Sequence, residues 1–175
     1  LTWDGGTTPR LHYVDPKKDE IRFIGVLFDI HGTIYSTMGD FFGPFASHEK
    51  IKRHLINGEE ITIYGSYDYP GTLMAYIANG DTSDALRVRD VLFEEYWKFY
   101  IRDHRYMMRK EEKRGLIEQY LMTILYERFK KDMSDASILL GIHLFLEKFL
   151  MISIQKMVRP GSNLIFTGGS ALNIK

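Results

Sequence analysis

A chain of 175 residues that is 45% hydrophobic and 14% aromatic has the material for one packed core, or part of one, and is too apolar to remain disordered. Lys plus Arg and Asp plus Glu each number 23, so the net charge is zero and no electrostatic pull towards nucleic acid or an anionic membrane is expected. The absence of cysteine excludes disulfides, zinc ribbons and thiol catalysis within these residues and fits a reducing, cytoplasmic setting.

The first thirty residues read as β. LTWD is a short strand candidate and GGTTP a turn; RLHYVD alternates and meets the turn PKKDE; IRFIGVLFDI is a longer run of β-branched and aromatic residues. Together they predict a three-strand antiparallel meander. HGTIYSTMGDFFG places Ile34, Met38 and Phe41 or Phe42 at helical spacing, which predicts a short helix over Gly32 to Phe42. SHEKIKRHLING reads as a second short helix ending at Gly58, EITIYGSY as an edge strand, and PGTLMAYIANGD as a stretch that packs Leu73, Met74 and Ile77 on one side and ends at Gly80.

From Thr82 the pattern is helical. The first long helix, with Thr82 or Ser83 as N-cap, has its apolar set at Leu86, Val91 or Leu92, Tyr96, Phe99 and Tyr100. EEKRGLIEQYLMTILYERFKK carries Leu116, Tyr120, Ile124 and Phe129 on its stripe. The third helix, capped by Ser134, sets Ile138, Ile142, Phe145, Phe149 and Ile152 at three-four spacing. No uninterrupted apolar run reaches about eighteen residues, so no membrane span is predicted. Pro160 and Gly161 break the chain, and NLIFTGG reads as a buried strand returning parallel to an earlier one. The fold class is α/β, with a mixed sheet, a helical middle and a returning strand. The chain opens at Leu1 with neither Met nor a charged-then-apolar leader, and both ends read as cut.

Two stretches carry candidate chemistry. Asp4-Gly5-Gly6 either shapes a hairpin or holds a metal or phosphate, with the glycines bringing backbone N–H groups to an anion. In Gly168-Gly169-Ser170-Ala171-Leu172-Asn173, glycines after a strand let a ligand approach the backbone, or simply make a tight strand-to-helix turn. The third glycine of the dinucleotide fingerprint is missing, and there is neither a P-loop nor a serine elbow. The histidines, His12, His31, His48, His54, His104 and His143, form no pair at four-residue spacing on one helix. His143 reads as a satisfied histidine in or on the third helix, and His12 stays open as a site residue. The basic cluster Arg102 to Arg114 reads as a solvated helix face.

LTWDGGTTPRLHYVD resembles the strand-DG-strand hairpin of the ATP-binding domain shared by actin, sugar kinases and heat-shock chaperones, and FTGGSALN resembles the adenosine loop of that ribonuclease H-like superfold. More narrowly, GGSALN is similar to the GG-x-ALN signature of the O-carbamoyltransferases of nodulation and antibiotic tailoring. Gly32, Tyr35 and Ser36 match that family's small-residue-Gly-x-x-Tyr-Ser helix. Gly71, Met74 and Gly80 match its Gly-Lys-x-Met-x-x-Ala-x-x-Gly segment. The four stretches occur in the family's order.

The resemblance implies transfer of a carbamoyl group from carbamoyl phosphate, through a carbamoyl-adenylate made with ATP, to a small-molecule hydroxyl acceptor. It implies a divalent metal, usually iron, held by a His-x-x-x-His pair, the Asp of the DG motif and a later Asp. Of these only Asp4 falls in this chain, as a metal ligand. Gly5 and Gly6 would meet phosphate, Gly168 and Gly169 would border the nucleotide, and Asn173 would either bond the nucleotide or cap the turn. The chain is then a partial nucleotide-binding domain, 1–175, whose partner is the rest of its parent polypeptide, and by itself it is expected not to turn over. Thr72 stands where the family has a basic residue, Ser170 replaces Cys or Val, and 43–68 reads as an insertion. The alternatives are a nucleotide-binding or regulatory module of the same superfold without carbamoyl transfer, and a structural fragment.

Overall fold

A computed structural model describes residues 1–44, 46, 53–56, 59–62, 69–103 and 116–169. The elements in chain order are β1 (Arg10–Asp15), β2 (Glu20–Val26), α1 (Ile34–Phe41), β3 (Arg53–Ile56), β4 (Glu59–Thr62), α2 (Tyr69–Ile77), α3 (Thr82–Asp103), α4 (Leu116–Phe129) and α5 (Asp135–Met157).

β1 and β2 form an antiparallel pair, with an irregularity between Leu11 and His12. The predicted third strand does not form as such. LTWD contributes one antiparallel bridge, Thr2 to Arg10, and one parallel bridge, Thr2 to Thr167. Two hydrogen bonds make the first: Thr2 N–H to the Arg10 carbonyl at 2.9 Å and Arg10 N–H to the Thr2 carbonyl at 2.8 Å. Trp3 N–H to the Thr167 carbonyl (3.0 Å) and Thr167 N–H to the Leu1 carbonyl (2.9 Å) make the second. The result is mixed in direction, but a meander of two full strands. The returning segment is extended yet not buried: Ile165 is 72% and Phe166 38% exposed.

β2 ends at Val26, four residues before the apolar run does. Phe28 and Ile30 leave the strand and turn into the core. The short helix appears as α1, with Ile34, Tyr35 and Met38 buried. The helix expected over Ser47 to Gly58 is contradicted within its described part, where Arg53–Ile56 is a strand paired antiparallel with Glu59–Thr62. The two residues between these strands are Asn-Gly, the dipeptide most favoured in two-residue hairpins, and that signal outweighs the weak helical spacing.

α5 is the spine of the core. Ser134 accepts the Ser137 N–H at 3.2 Å as its N-cap, and Ile138, Ile142, Phe145 and Phe149 are buried at the predicted spacing. By length and composition α5 could cross a membrane, which corrects the reading that nothing here is apolar enough. Its composition is accounted for by packing on α3. At Gly141 a Cβ would come within 2.5 Å of Val88 Cβ and 2.7 Å of the Ala85 carbonyl oxygen. α3 is capped by Asp81, not Thr82 or Ser83: the Asp84 N–H donates to Asp81 Oδ1 at 2.9 Å. Its buried set is Ala85, Val88, Leu92 and Tyr96, while Leu86 is exposed. On α4 the buried apolar residues are Ile117, Leu121, Met122, Leu125 and Phe129, so the stripe is turned from the one predicted. Phe145 and Phe149 join Phe93, Tyr96 and Phe28 in ring contacts of 4.7 to 6.2 Å. Each fully buried ring contributes roughly 2–3 kcal/mol by removal from water, so this cluster fixes α3, α5 and the segment after β2 together.

Candidate functional site

The Asp4 turn begins where Trp3 is anchored. Trp3 is wholly buried, edge-on to Phe28 at 5.3 Å, so the chain emerges from the core at Asp4. Asp4 Oδ1 accepts the Gly5 N–H at 2.9 Å. The Asp4 carbonyl accepts both the Thr7 N–H (3.0 Å) and the Thr7 hydroxyl (3.2 Å), which closes the turn over four residues. A second turn, between β2 and α1, clasps it from the side. Gly32 N–H donates to the Thr7 carbonyl at 3.1 Å, and Thr33 N–H to the Gly5 carbonyl at 2.7 Å. Around Gly5 and Gly6 the space is open, with no atom within 4 Å of where a Cβ would stand.

The Gly168 turn arrives on the other side. Gly168 has φ +94, and a Cβ there would lie 2.4 Å from the Trp3 carbonyl oxygen and 3.3 Å from Asp4 Cβ. At Gly169 a Cβ would lie 3.4 Å from Asp4 Oδ1. The two glycine turns, read separately in the sequence, therefore lie side by side at Asp4, with no room between Gly168 and Trp3 for a side chain. Asn173 lies outside the described residues.

Behind the clasp sits a buried carboxylate that sequence reasoning missed. Glu118 on α4 is 1% exposed, and its Oε1 accepts the His31 backbone N–H at 2.6 Å and meets His31 Nδ1 at 3.1 Å. Its Oε2 is buried without a hydrogen-bond partner. Glu118 is thus the support of the 31–33 turn, and through it of the Asp4 turn. No local pattern marks it, because 87 residues separate it from His31. His12 is not brought to this site; it lies on β1 with its ring 5.5 Å from Phe23. Tyr35 is a core residue, its phenol pushed up by burial. Thr72 is exposed on α2, and no hydrogen bond links it to the Asp4 turn.

Among the described residues, no three His, Cys, Asp or Glu side chains gather as a metal cluster. Asp4 by itself offers a hard oxygen donor of the kind Mg, Mn or Fe accept, one ligand of an incomplete set. The Gly6 N–H, in a turn with no side chain to shield it, can face an anion.

Comparison with known proteins gives these geometries a family. The model described as "Carbamoyltransferase N-terminus" matches residues 1–175. Nodulation protein U of Bradyrhizobium diazoefficiens is 30% identical over 187 residues, which cover 100% of this chain and 30% of that protein. Nodulation protein U of Rhizobium tropici is 29% identical and that of Sinorhizobium fredii 26% identical, each again over the whole of this chain. The chain spans about 30% of the length of these curated relatives. No solved structure gives a significant match. The chain belongs to the carbamoyltransferase N-terminal family.

Proposed function

We propose that this member of the carbamoyltransferase N-terminal family is one piece of an O-carbamoyltransferase. In the parent protein, water would split carbamoyl phosphate into carbamate and inorganic phosphate, a carbamate oxygen would attack the α-phosphorus of ATP and expel pyrophosphate, and a small-molecule hydroxyl would attack the carbamoyl carbon and expel AMP, its proton passing to solvent. The piece is part of an actin-like, ribonuclease H-like nucleotide-binding domain, in which two glycine turns on neighbouring strands hold the nucleotide.

One observation carries the reading: the Asp4-Gly5-Gly6 turn and the Gly168-Gly169 turn meet, with Asp4 Oδ1 3.4 Å from the position a Gly169 Cβ would take. A polyanion needs backbone N–H groups and room to approach them. Gly5 and Gly6 supply an open turn, and Gly168 and Gly169 keep its flank free of side chains. Asp4 would hold a divalent metal, as one ligand of a larger set, through the carboxylate oxygen its own turn leaves unused; when bound, such an ion polarises a carbonyl and neutralises phosphate charge. Glu118 and His31 keep the 31–33 turn in place, and its amides occupy the Gly5 and Thr7 carbonyls, so those carbonyls are turned away from the phosphate.

The test uses the full-length parent. Pyrophosphate release that requires both ATP and carbamoyl phosphate supports the reading. Release with ATP alone, or none with either, assigns the chain to a nucleotide-binding or structural role instead. In Asp4→Ala, metal content by elemental analysis falls together with turnover; a variant that keeps its metal removes Asp4 from the ligand set.

A further inference from the structure

We infer that the Asp4-Gly5-Gly6 turn accepts phosphate only together with a divalent cation, and that Asp4 is the residue that excludes the free anion. The inference rests on the nucleotide reading proposed above and adds to it the form in which the ligand is taken.

Two glycines in a turn offer two amides to an anion, but here one is already taken. The Gly5 N–H donates to Asp4 Oδ1 at 2.9 Å. The Gly6 N–H donates to nothing among the described residues, and the space beside Gly6 is open. The carbonyls of Asp4, Gly5 and Thr7 are occupied by the amides of Thr7, Thr33 and Gly32. The turn therefore presents one amide and one carboxylate to an arriving ligand.

The charge on that face is negative. Asp4 is exposed and forms no ion pair among the described residues, so no cationic side chain there balances it. Gly169 passes beside Asp4 Oδ1, 3.4 Å from where its Cβ would stand, and brings no side chain to it. Consecutive residues are about 3.8 Å apart, so the carboxylate lies within about 7 Å of the Gly6 amide. That is inside the ~8 Å over which charges act with little screening at physiological salt. One neutral amide does not offset a full like charge at that range.

A divalent cation reverses the sign. Asp4 Oδ2 accepts from nothing among the described residues, so it can hold an ion while Oδ1 keeps the Gly5 N–H. The same face then carries net positive charge, and phosphate is drawn to the ion and the Gly6 amide together. The coupling is reciprocal, so cation and phosphate raise each other's affinity by one factor. An aspartate that only shaped the turn would give no such coupling, because the asparagine oxygen can accept the same N–H.

That difference is the test. Equilibrium binding of ADP to the metal-stripped, full-length parent is measured in EDTA and in Mg²⁺, for the wild type and for Asp4→Asn. The wild type is expected to bind ADP about 30-fold more tightly in Mg²⁺ than in EDTA. In EDTA, Asp4→Asn is expected to bind about tenfold more tightly than the wild type, and to change less than about threefold when Mg²⁺ is added. Equal wild-type affinity in the two conditions, or metal-free binding by Asp4→Asn no tighter than wild type, would overturn the inference and leave nucleotide binding standing. ADP bound by neither protein in either condition would overturn the nucleotide reading, and the inference with it.

Discussion

Gly168 is held against Trp3 so closely that the carbonyl oxygen of Trp3 would stand 2.4 Å from any Cβ placed on it. This contact joins the two ends of the described chain, and it is where the geometry of the candidate site is set. Trp3 is fixed by burial against Phe28, and Gly168 is fixed by the parallel bridge one residue before it. Asp4 emerges between them with its carboxylate against Gly169.

Gly168 and Gly5 should therefore respond differently to the same substitution. Gly168→Ala meets a backbone oxygen and a positive φ together, and should cost about 3–4 kcal/mol of stability. Gly5 has no atom within 4 Å of a new Cβ and no positive φ. Gly5→Ala should leave stability within about 0.5 kcal/mol but weaken nucleotide binding, because the methyl group stands where phosphate would approach. Urea titrations of both variants, with nucleotide affinity measured in the full-length parent, check the contrast. Equal destabilisation by the two would show that the Trp3–Gly168 contact is not as tight as described.

Gly141 sets one favourable effect of alanine against two unfavourable contacts. In the middle of a helix, Gly→Ala gains about 1 kcal/mol in propensity. Here the new methyl would overlap Val88 Cβ at 2.5 Å and the Ala85 carbonyl oxygen at 2.7 Å, on α3. Overpacking of this kind costs about 1–3 kcal/mol, and an obstacle made of backbone cannot rotate away. Gly141→Ala should lower stability, by up to about 2 kcal/mol. A thermal melt that rises instead would mean α3 and α5 can separate without loss.

How far the sequence could be read depended on whether the signal was local. α5 was legible because Ile138, Ile142, Phe145 and Phe149 repeat on one face behind a Ser cap. α4 was legible as a helix but not in its facing, since Leu116, Ile117, Leu121, Met122, Ile124 and Leu125 leave few polar positions to mark the outside. Arg53–Ile56 reads as helix because four residues of strand are too short for periodicity, and the Asn-Gly that follows in the sequence marks a helix end as readily as a hairpin. In the site, Asp4 and Gly168 announced themselves as turns, and their resemblance to a family linked them. Their contact, and the part played by Glu118, depend on pairings far apart in the chain that no local pattern encodes.

Glu118 should matter more than an ordinary helix glutamate. Its Oε1 serves both the backbone and the ring of His31, and its Oε2 has no partner. Glu118→Gln keeps one acceptor for His31 but buries an amide N–H₂ without an acceptor, a loss of about 1–3 kcal/mol. Glu118→Ala removes the acceptor and leaves a cavity, and should cost more, about 3 kcal/mol or above. Chemical denaturation of the two variants orders them. If alanine is the milder, the carboxylate is not supporting the 31–33 turn.

His143 predicts how stability falls with acid. It lies in α5 with its Nδ1 buried and without a partner. Burial holds its pKa below the ordinary value, with the Glu147 carboxylate acting weakly the other way. The folded protein therefore keeps this imidazole neutral at a pH where the unfolded chain takes up a proton. The sign follows: stability is level above about pH 6.5, the ordinary histidine value, and declines as pH falls from there towards the depressed folded value. One such group contributes at most about 1.4 kcal/mol per pH unit inside that window. Urea titrations at about pH 7.5 and about pH 5.5 should show a larger loss in the wild type than in His143→Leu. Leucine keeps the site filled and apolar and has nothing to protonate, so any loss it retains belongs to other groups. Equal losses in the two proteins would mean that His143 takes its proton as readily folded as unfolded.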